Sequence, residues 1–205
     1  MKEQSFNEIE LEGTAATPPV ISHANHDITF YRFYLDVPRL SGQTDRLPVL
    51  LPSAMTAAVI PGSPLRLKGQ LRSFNNNSGQ GNRLILSVHA QAFLPVQGEG
   101  CNCVSLSGTL CKPPVFRRTP LGRSICDLML AVPRRYGRSD YLPAIAWGQL
   151  AVAASQLRVG ASLSLEGRMQ SRIYTKQTPQ GAEERTAYEV SIMHIPTPES
   201  TEASF

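Results

Sequence analysis

The sequence predicts an all-β protein built as two tandem five-stranded Greek-key barrels, and three observations carry the prediction. The first is an internal repeat. Asn7, Leu11, Gly13 and Pro18-Pro19 recur 95 residues later as Asn102, Leu106, Gly108 and Pro113-Pro114. Val37, Pro38, Arg39, Gly42, Asp45 and Pro48 recur at the same shift as Val132, Pro133, Arg134, Gly137, Asp140 and Pro143. The shift then grows to 98 (Gly62, Gly69 and Ser73 against Gly160, Gly167 and Ser171) and to 102 (Arg83 and Val88 against Arg185 and Val190). Constant shifts broken by small insertions mark two copies of one domain with different loops. The second observation is length: 205 residues accommodate two domains of roughly 100. The third is the order of elements within each copy.

Each copy opens on a short alternating run, Ile9-Leu11-Gly13 or Val104-Leu106-Gly108, the period of a half-buried strand. A second strand is predicted over Phe30–Val37 and Ile125–Val132. A Gly-containing connection then leads to a third, around 47–51 and 141–147. Leu150, Ala153, Ala154 and Leu157 recur at helical spacing, so a short helix is predicted over Gly148–Leu157, ending before Gly160. Its counterpart, Ser53–Val59, is shorter and bounded by Pro52 and Pro61. Two further strands per copy, 64–73 with 84–93 and 161–174 with 185–194, are joined by the polar segments FNNNSGQGN and TKQTPQGAEE. Three strands, a helix and two strands is the order of the oligonucleotide-binding (OB) fold. The fold class is therefore all-β, two tandem OB-folds with a short helix in the second. The expected domains are 1–94 and 101–195, with a linker at 95–100 and a tail at 196–205 that lacks any periodic pattern.

The formal net charge of +4 is distributed unevenly. Residues 1–98 hold 8 Lys+Arg against 7 Asp+Glu, and 99–205 hold 12 against 9; eleven of those twelve cations fall in 112–176. A basic stretch on one domain is the electrostatic footprint of a polyanion partner, although a solvated surface looks similar. Cys101, Cys103, Cys111 and Cys126 match no zinc-ligand spacing, and His23-x-x-His26 has nothing to complete a site, so no metal and no cofactor is predicted. Asp127 and Asp140 lack a supporting carboxylate or histidine. There is neither a G-x-S-x-G turn nor a phosphate-binding Gly-Lys-Ser/Thr, so the chain does not read as an enzyme. With no apolar run long enough for a bilayer and no secretory leader, the expectation is a cytoplasmic protein without membrane contact.

Five motifs in the second copy, in order, support a family resemblance. They are NCVSLSGTL, DLMLAVPRRYGRSDYLPAIAWG, QLAVAASQLRVG, SLEGRMQSRIY and RTAYEVSI. Over residues 102–195 the chain resembles the bacterial single-stranded DNA-binding protein family. The first copy is similar but degenerate, keeping NEIELEGT, RFYLDVPRLSG and LRLKGQLRSF. The resemblance implies sequence-tolerant binding of single-stranded DNA in replication, recombination or repair. It further implies a homodimer presenting four OB-folds. The Phe-terminated tail, with Glu199, Glu202 and Phe205, is a candidate contact for replication or repair proteins, although it lacks the dense acidic run of the family.

Binding a single strand needs rings on which bases stack and cations that track phosphates. By position, Tyr136, Tyr141, Trp147 and Tyr174 resemble the family's stacking aromatics, through the motifs YGRSDY, IAWG and QSRIY. Arg134, Arg135 and Arg138 surround the two tyrosines of the hairpin. Arg117 and Arg118 lie in the loop FRRTPLGR, and Arg168, Arg172 and Lys176 on the fourth strand. The first copy has Ser41, Arg46, Pro52 and Asn76 where those four aromatics stand, with Phe74 as a possible ring. It is therefore expected to serve assembly, or to bind weakly through Arg39, Arg46, Lys68 and Arg72. Two other readings fit the same residues: an accessory replication or mobile-element protein that mainly makes protein contacts, and RNA binding.

Overall fold

The structure is a computed structural model that describes residues 6–77, 81–134, 137–178 and 181–196. The first copy folds as β1 (Asn7–Ala15), β2 (Val20–Asn25), β3 (Ile28–Pro38), β4 (Thr44–Pro52), β5 (Pro64–Asn75) and β6 (Leu84–Leu94), with a 3₁₀ turn at Ser53–Ala58. The second folds as β7 (Cys101–Leu110), β8 (Val115–Arg118), β9 (Ser124–Pro133), β10 (Ser139–Trp147), α1 (Gly148–Ala154), β11 (Ser162–Thr178) and β12 (Gly181–His194). Each copy closes in the same way. β1 pairs with both β3 and β5, and β4 runs parallel to β6 at Val49↔Val88. β7 pairs with both β9 and β11, and β10 runs parallel to β12 at Ala144↔Val190. Two five-stranded Greek-key barrels result, as expected of tandem OB-folds.

Alternation explains the strands. In β5, Leu65, Leu67, Gly69, Leu71 and Ser73 point inward while Arg66, Lys68, Gln70 and Arg72 point outward. Glycine is required at the bulge in each copy: beside β6 a Cβ on Gly69 would run into the His89 carbonyl, and beside β12 one on Gly167 would run into that of Ser191. The core takes Ile9, Phe33, Leu47 and Leu67 from one barrel and Leu106, Leu130, Leu142 and Met169 from the other.

Three features depart from the sequence expectation. β2 and β8 are additional strands flanking β3 and β9. Every residue of both is exposed, so they carry no burial period to read. The segment TKQTPQGAEE, expected as a loop, is largely paired strand, running to Thr178↔Gly181. It projects from the barrel, and its composition reflects exposure rather than irregularity. The helix stops at Ala154, three residues early, where Gln156 and Leu157 donate to carbonyls three residues back, Ala153 and Ala154, and tighten the chain toward Gly160.

The copies join through β1 and β7, antiparallel, with Ile9 opposite Val104. The repeat relates these same two residues, so a pseudo-two-fold axis passes through their pair. Equivalent asparagines close each barrel beside it. Asn7 donates to the Leu71 carbonyl and accepts from its N–H, both at 2.8 Å; Asn102 does the same with Met169 at 2.8 Å. Farther out, Asp45 and Asp140 are fully buried and span the junction. Asp45 accepts from Arg39 and from the N–H and hydroxyl of Ser171. Asp140 accepts from Arg134, Arg72 and the Ser73 N–H.

Candidate nucleic-acid interface

The outer face of the second barrel runs across β11, β12, β10, β9 and β8. Residues directly opposite in a ladder share a face, as do residues two apart along a strand. Tyr141 lies opposite Ala131, Ile145 opposite both Asp127 and Ser191, and Trp147 opposite Ile125. On β11, Arg168 faces Ser191, Arg172 faces Ala187, Tyr174 faces Arg185 and Lys176 faces Glu183. Arg117 of β8 faces Ile125. Seven of the residues chosen from sequence, Arg117, Tyr141, Trp147, Arg168, Arg172, Tyr174 and Lys176, therefore occupy one continuous face. Tyr136 and Arg135 lie outside the described residues, as do Glu199, Glu202 and Phe205.

The rings are held in place. Tyr141 is 48% exposed, and its N–H donates to the Ser73 hydroxyl of the other copy at 2.7 Å. Trp147 is 39% exposed, and its indole N–H donates to Ser191 Oγ at 3.2 Å. It borders a shallow depression with Arg123, Gln149 and Val152. Tyr174 donates its hydroxyl to Asn82 Oδ1 at 2.9 Å, with the Arg172 guanidinium 5.5 Å from its ring centre. Asn82 is a first-copy residue, and its side-chain amide also donates to the Thr186 carbonyl at 2.5 Å. Arg185 donates to the Gly81 carbonyl, so the β5–β6 hairpin of one copy rests on the β11–β12 ribbon of the other.

The cations divide into two groups. Arg118, Arg138, Arg168 and Lys176 form no ion pair within 4 Å among the described residues, and Arg172 has only a loose one, 3.8 Å from Glu189. Arg117 pairs with Asp127 at 2.8 Å. Arg134 serves the junction: it grips Asp140, donates to the Ser73 carbonyl at 3.0 Å and lies 5.7 Å from the Phe74 ring centre. On the first copy the cations read as candidates are all paired, Arg39 with Asp45, Arg46 with Asp36, Lys68 with Glu8 and Arg72 with Asp140. Its outer face instead carries a line of rings. His23 stacks on Phe30 at 5.1 Å, Phe30 is 6.3 Å from His89, and His89 is 5.7 Å from Phe74. Burial, with Arg72 and Arg134 nearby, depresses His89 to about 4, so its ring is neutral at physiological pH.

Sequence reasoning missed Asn82, Arg83 and Glu189, which line a cleft of about 370 Å³ between the copies together with Tyr174 and Arg172. Asn82 closes the polar segment FNNNSGQGN and Glu189 lies within RTAYEVSI, but nothing local to either segment records that they meet at the junction. Among the described residues no group of three or more His, Cys, Asp or Glu could hold a metal, and no helix is long and apolar enough to cross a membrane.

Two OB barrels joined by an antiparallel β1–β7 pair place the chain in the class of tandem OB-fold proteins. Residues 101–197 match the Single-strand binding protein family. A protein named Single-stranded DNA-binding protein 2, from Chlorobaculum tepidum, is 30% identical over 104 residues, covering 46% of this chain and 68% of the relative. The Single-stranded DNA-binding protein of Thermus aquaticus is 32% identical over 114 residues, 45% of this chain but only 43% of the relative's length. The crystal structure of that wild-type Thermus protein superposes with a TM-score of 0.75 at 23% identity, covering 98% of this chain and 97% of that one, so the tandem fold is shared throughout. The chain belongs to the single-strand binding protein family.

Proposed function

We propose that the protein binds single-stranded DNA with little regard to sequence and serves replication, recombination or repair without catalysing a reaction. Bases stack on Tyr141, Trp147 and Tyr174 while Arg118, Arg138, Arg168, Arg172 and Lys176 follow the phosphates. The observation that carries this reading is that Tyr141, Trp147 and Tyr174 share one sheet face with Arg168, Arg172 and Lys176, which form no close ion pair among the described residues, with Arg118 and Arg138 at its border. The division into units at 1–94 and 101–195 follows the two barrels. The second unit holds the strand; the first supplies the junction, fixing Tyr141 through Ser73 and Tyr174 through Asn82. Two chains associate to offer four barrels in the cytoplasm, and the segment ending at Phe205 contacts partner proteins.

Trp147 is the sole tryptophan, so its fluorescence reports on the face directly. Titration with oligo-dT is expected to quench it at low salt, with affinity falling steeply as salt rises. No response at any salt would overturn the reading in favour of a protein-contact role. Equal affinity for oligo-rU would extend it to RNA.

A further inference from the structure

The junction between the copies carries a pair of thiols that base stacking and phosphate contact leave unused. Cys101 and Cys103 lie two apart on β7, so their side chains share one face of the strand. Their sulfurs stand 3.6 Å apart, with the Cys101 thiol donating to Cys103. Both are free thiols, Cys103 exposed and Cys101 half-buried. The other two cysteines are engaged elsewhere: Cys111 donates to the Met129 carbonyl at 3.2 Å, and Cys126 is fully buried. Between the pair stands Asn102, the residue that closes the second barrel on Met169.

Strand geometry puts a bridge between these sulfurs within reach but under strain. Residues two apart along a strand hold their Cα atoms about 6.7 Å apart. A disulfide spans at most about 6.8 Å between Cα atoms and draws the Cβ atoms to within about 4.5 Å. A Cys101–Cys103 bridge therefore requires β7 to bend at Asn102, against contacts on both sides. Toward β1, Cys101, Asn102 and Cys103 pair with Glu12, Leu11 and Glu10. Toward β11, the ladder runs to Val104↔Gly167, and the two 2.8 Å bonds between Asn102 and Met169 continue the hold beyond it. A strained, accessible disulfide is the readily reduced kind.

We propose that Cys101 and Cys103 form a reversible oxidation site whose disulfide loosens the junction of the two barrels, independently of DNA binding. The oxidant is a small disulfide. Burial, with Cys103 and Glu10 beside it, pushes the Cys101 thiol up to about 12, so it stays protonated and the exposed Cys103 reacts first. The Cys103 thiolate attacks one sulfur of the small disulfide and expels the other as a thiolate, leaving a mixed disulfide on Cys103. The Cys101 sulfur then displaces the second small thiol, to which its proton passes. Two protein thiols are oxidised to one disulfide, and the small disulfide is reduced to two thiols.

The test incubates the full chain with glutathione disulfide, alkylates the remaining thiols, and reads mass and melting temperature. The expected result is a loss of two hydrogens, with an internal bridge on the peptide that holds Cys101 and Cys103. Melting is expected to fall by about 4–8 °C, the loss of two hydrogen bonds in a chain of this size. Dithiothreitol is expected to reverse both changes. Cys103→Ser is expected to melt like the reduced wild type and to show neither bridge nor shift. Cys101→Ser is expected to stop at the mixed disulfide on Cys103. Full alkylation of both cysteines after the oxidant, a mixed disulfide that persists on Cys103 of the wild-type chain, or a bridged chain that melts like the reduced one each overturns the proposal.

Discussion

Asp140 of the second barrel accepts a hydrogen bond from the N–H of Ser73 in the first at 2.6 Å, and Asp45 of the first accepts its mirror image from Ser171 in the second, also at 2.6 Å. The two carboxylates are fully buried, and each also grips an arginine six residues upstream in its own barrel, Arg134 and Arg39 respectively. The duplication has thus kept a reciprocal clasp: hairpin arginine, buried aspartate, partner serine. The clasp differs in two respects: Asp45 also accepts from the Ser171 hydroxyl, whereas the Ser73 hydroxyl accepts from the Tyr141 N–H. Asp140 also binds a second guanidinium, Arg72 of the first copy, at 3.0 Å.

Removing a carboxylate from this clasp is expected to cost more at Asp140 than at Asp45. Asparagine preserves shape but leaves the arginines facing a neutral amide, and breaking a buried pair costs about 3–5 kcal/mol. Asp140→Asn strands both Arg134 and Arg72, whereas Asp45→Asn strands only Arg39. Urea denaturation is expected to place Asp140→Asn at the top of that range and Asp45→Asn below it.

The same residues set the acid limit. Burial pushes the Asp140 carboxyl up, but Arg134, the Ser73 N–H and Arg72 outweigh it and hold it below its ordinary value of 3.8. Asp45 follows suit, with burial opposed by Arg39 and the N–H and hydroxyl of Ser171. A carboxylate depressed in the folded state contributes stability above its unfolded pKa, about 3.9, and loses it as pH falls through the lower folded value. Stability is therefore expected to hold from neutrality to about pH 4 and to decline below it. The double variant Asp45→Asn/Asp140→Asn is expected to show a flatter acid limb in melts across that range.

On the proposed DNA face, committed and uncommitted arginines are expected to behave differently. Arg138 forms no close ion pair among the described residues, so Arg138→Ala should lower the salt dependence of oligo-dT binding by about 0.7 in log–log slope and leave melting unchanged. Arg134 is bound to Asp140 and Ser73, so Arg134→Ala should lower the melting temperature and leave the slope nearly unaltered. Tyr141→Ala and Trp147→Ala should each weaken binding by about 1–3 kcal/mol, the contribution of one stacked base. A salt slope that falls with Arg134 and not with Arg138 would reverse the assignment.

These contrasts mark how far the sequence could be read. The repeat and the period-two runs located ten strands because each buries one face, as β5 does. β2 and β8 escaped because strands exposed along their whole length have no such period. Tyr141, Trp147 and Tyr174 were picked out by the motifs YGRSDY, IAWG and QSRIY that carry the family resemblance, and the β11 cations by their spacing; strand register places them on one face. Arg134 was legible only as a cation. That it serves the junction depends on Asp140 and Ser73, the latter 61 residues away, and no local pattern records such a pairing. The first copy's ring line was hidden similarly, since His23, Phe30, His89 and Phe74 come from four strands.

A residue of the first barrel is expected to affect binding at the second. Asn82 accepts the Tyr174 hydroxyl at 2.9 Å and donates to the Thr186 carbonyl at 2.5 Å, tying the ring to the ribbon that carries it. A tyrosine held at its hydroxyl has fewer orientations to lose when a base stacks on it, so part of the ordering cost is met before DNA arrives. Asn82→Ala removes the clamp without touching the stacking face, and each hydrogen bond contributes about 1 kcal/mol. The expected result is about a threefold to tenfold loss of oligo-dT affinity with the salt slope intact, because no cation is removed. Tyr174→Phe, which deletes the hydroxyl from the other side, should reproduce that loss. In the double variant the two effects should fail to add, the signature of residues acting through one shared bond. Additive losses would mean that Asn82 meets the DNA itself rather than positioning Tyr174.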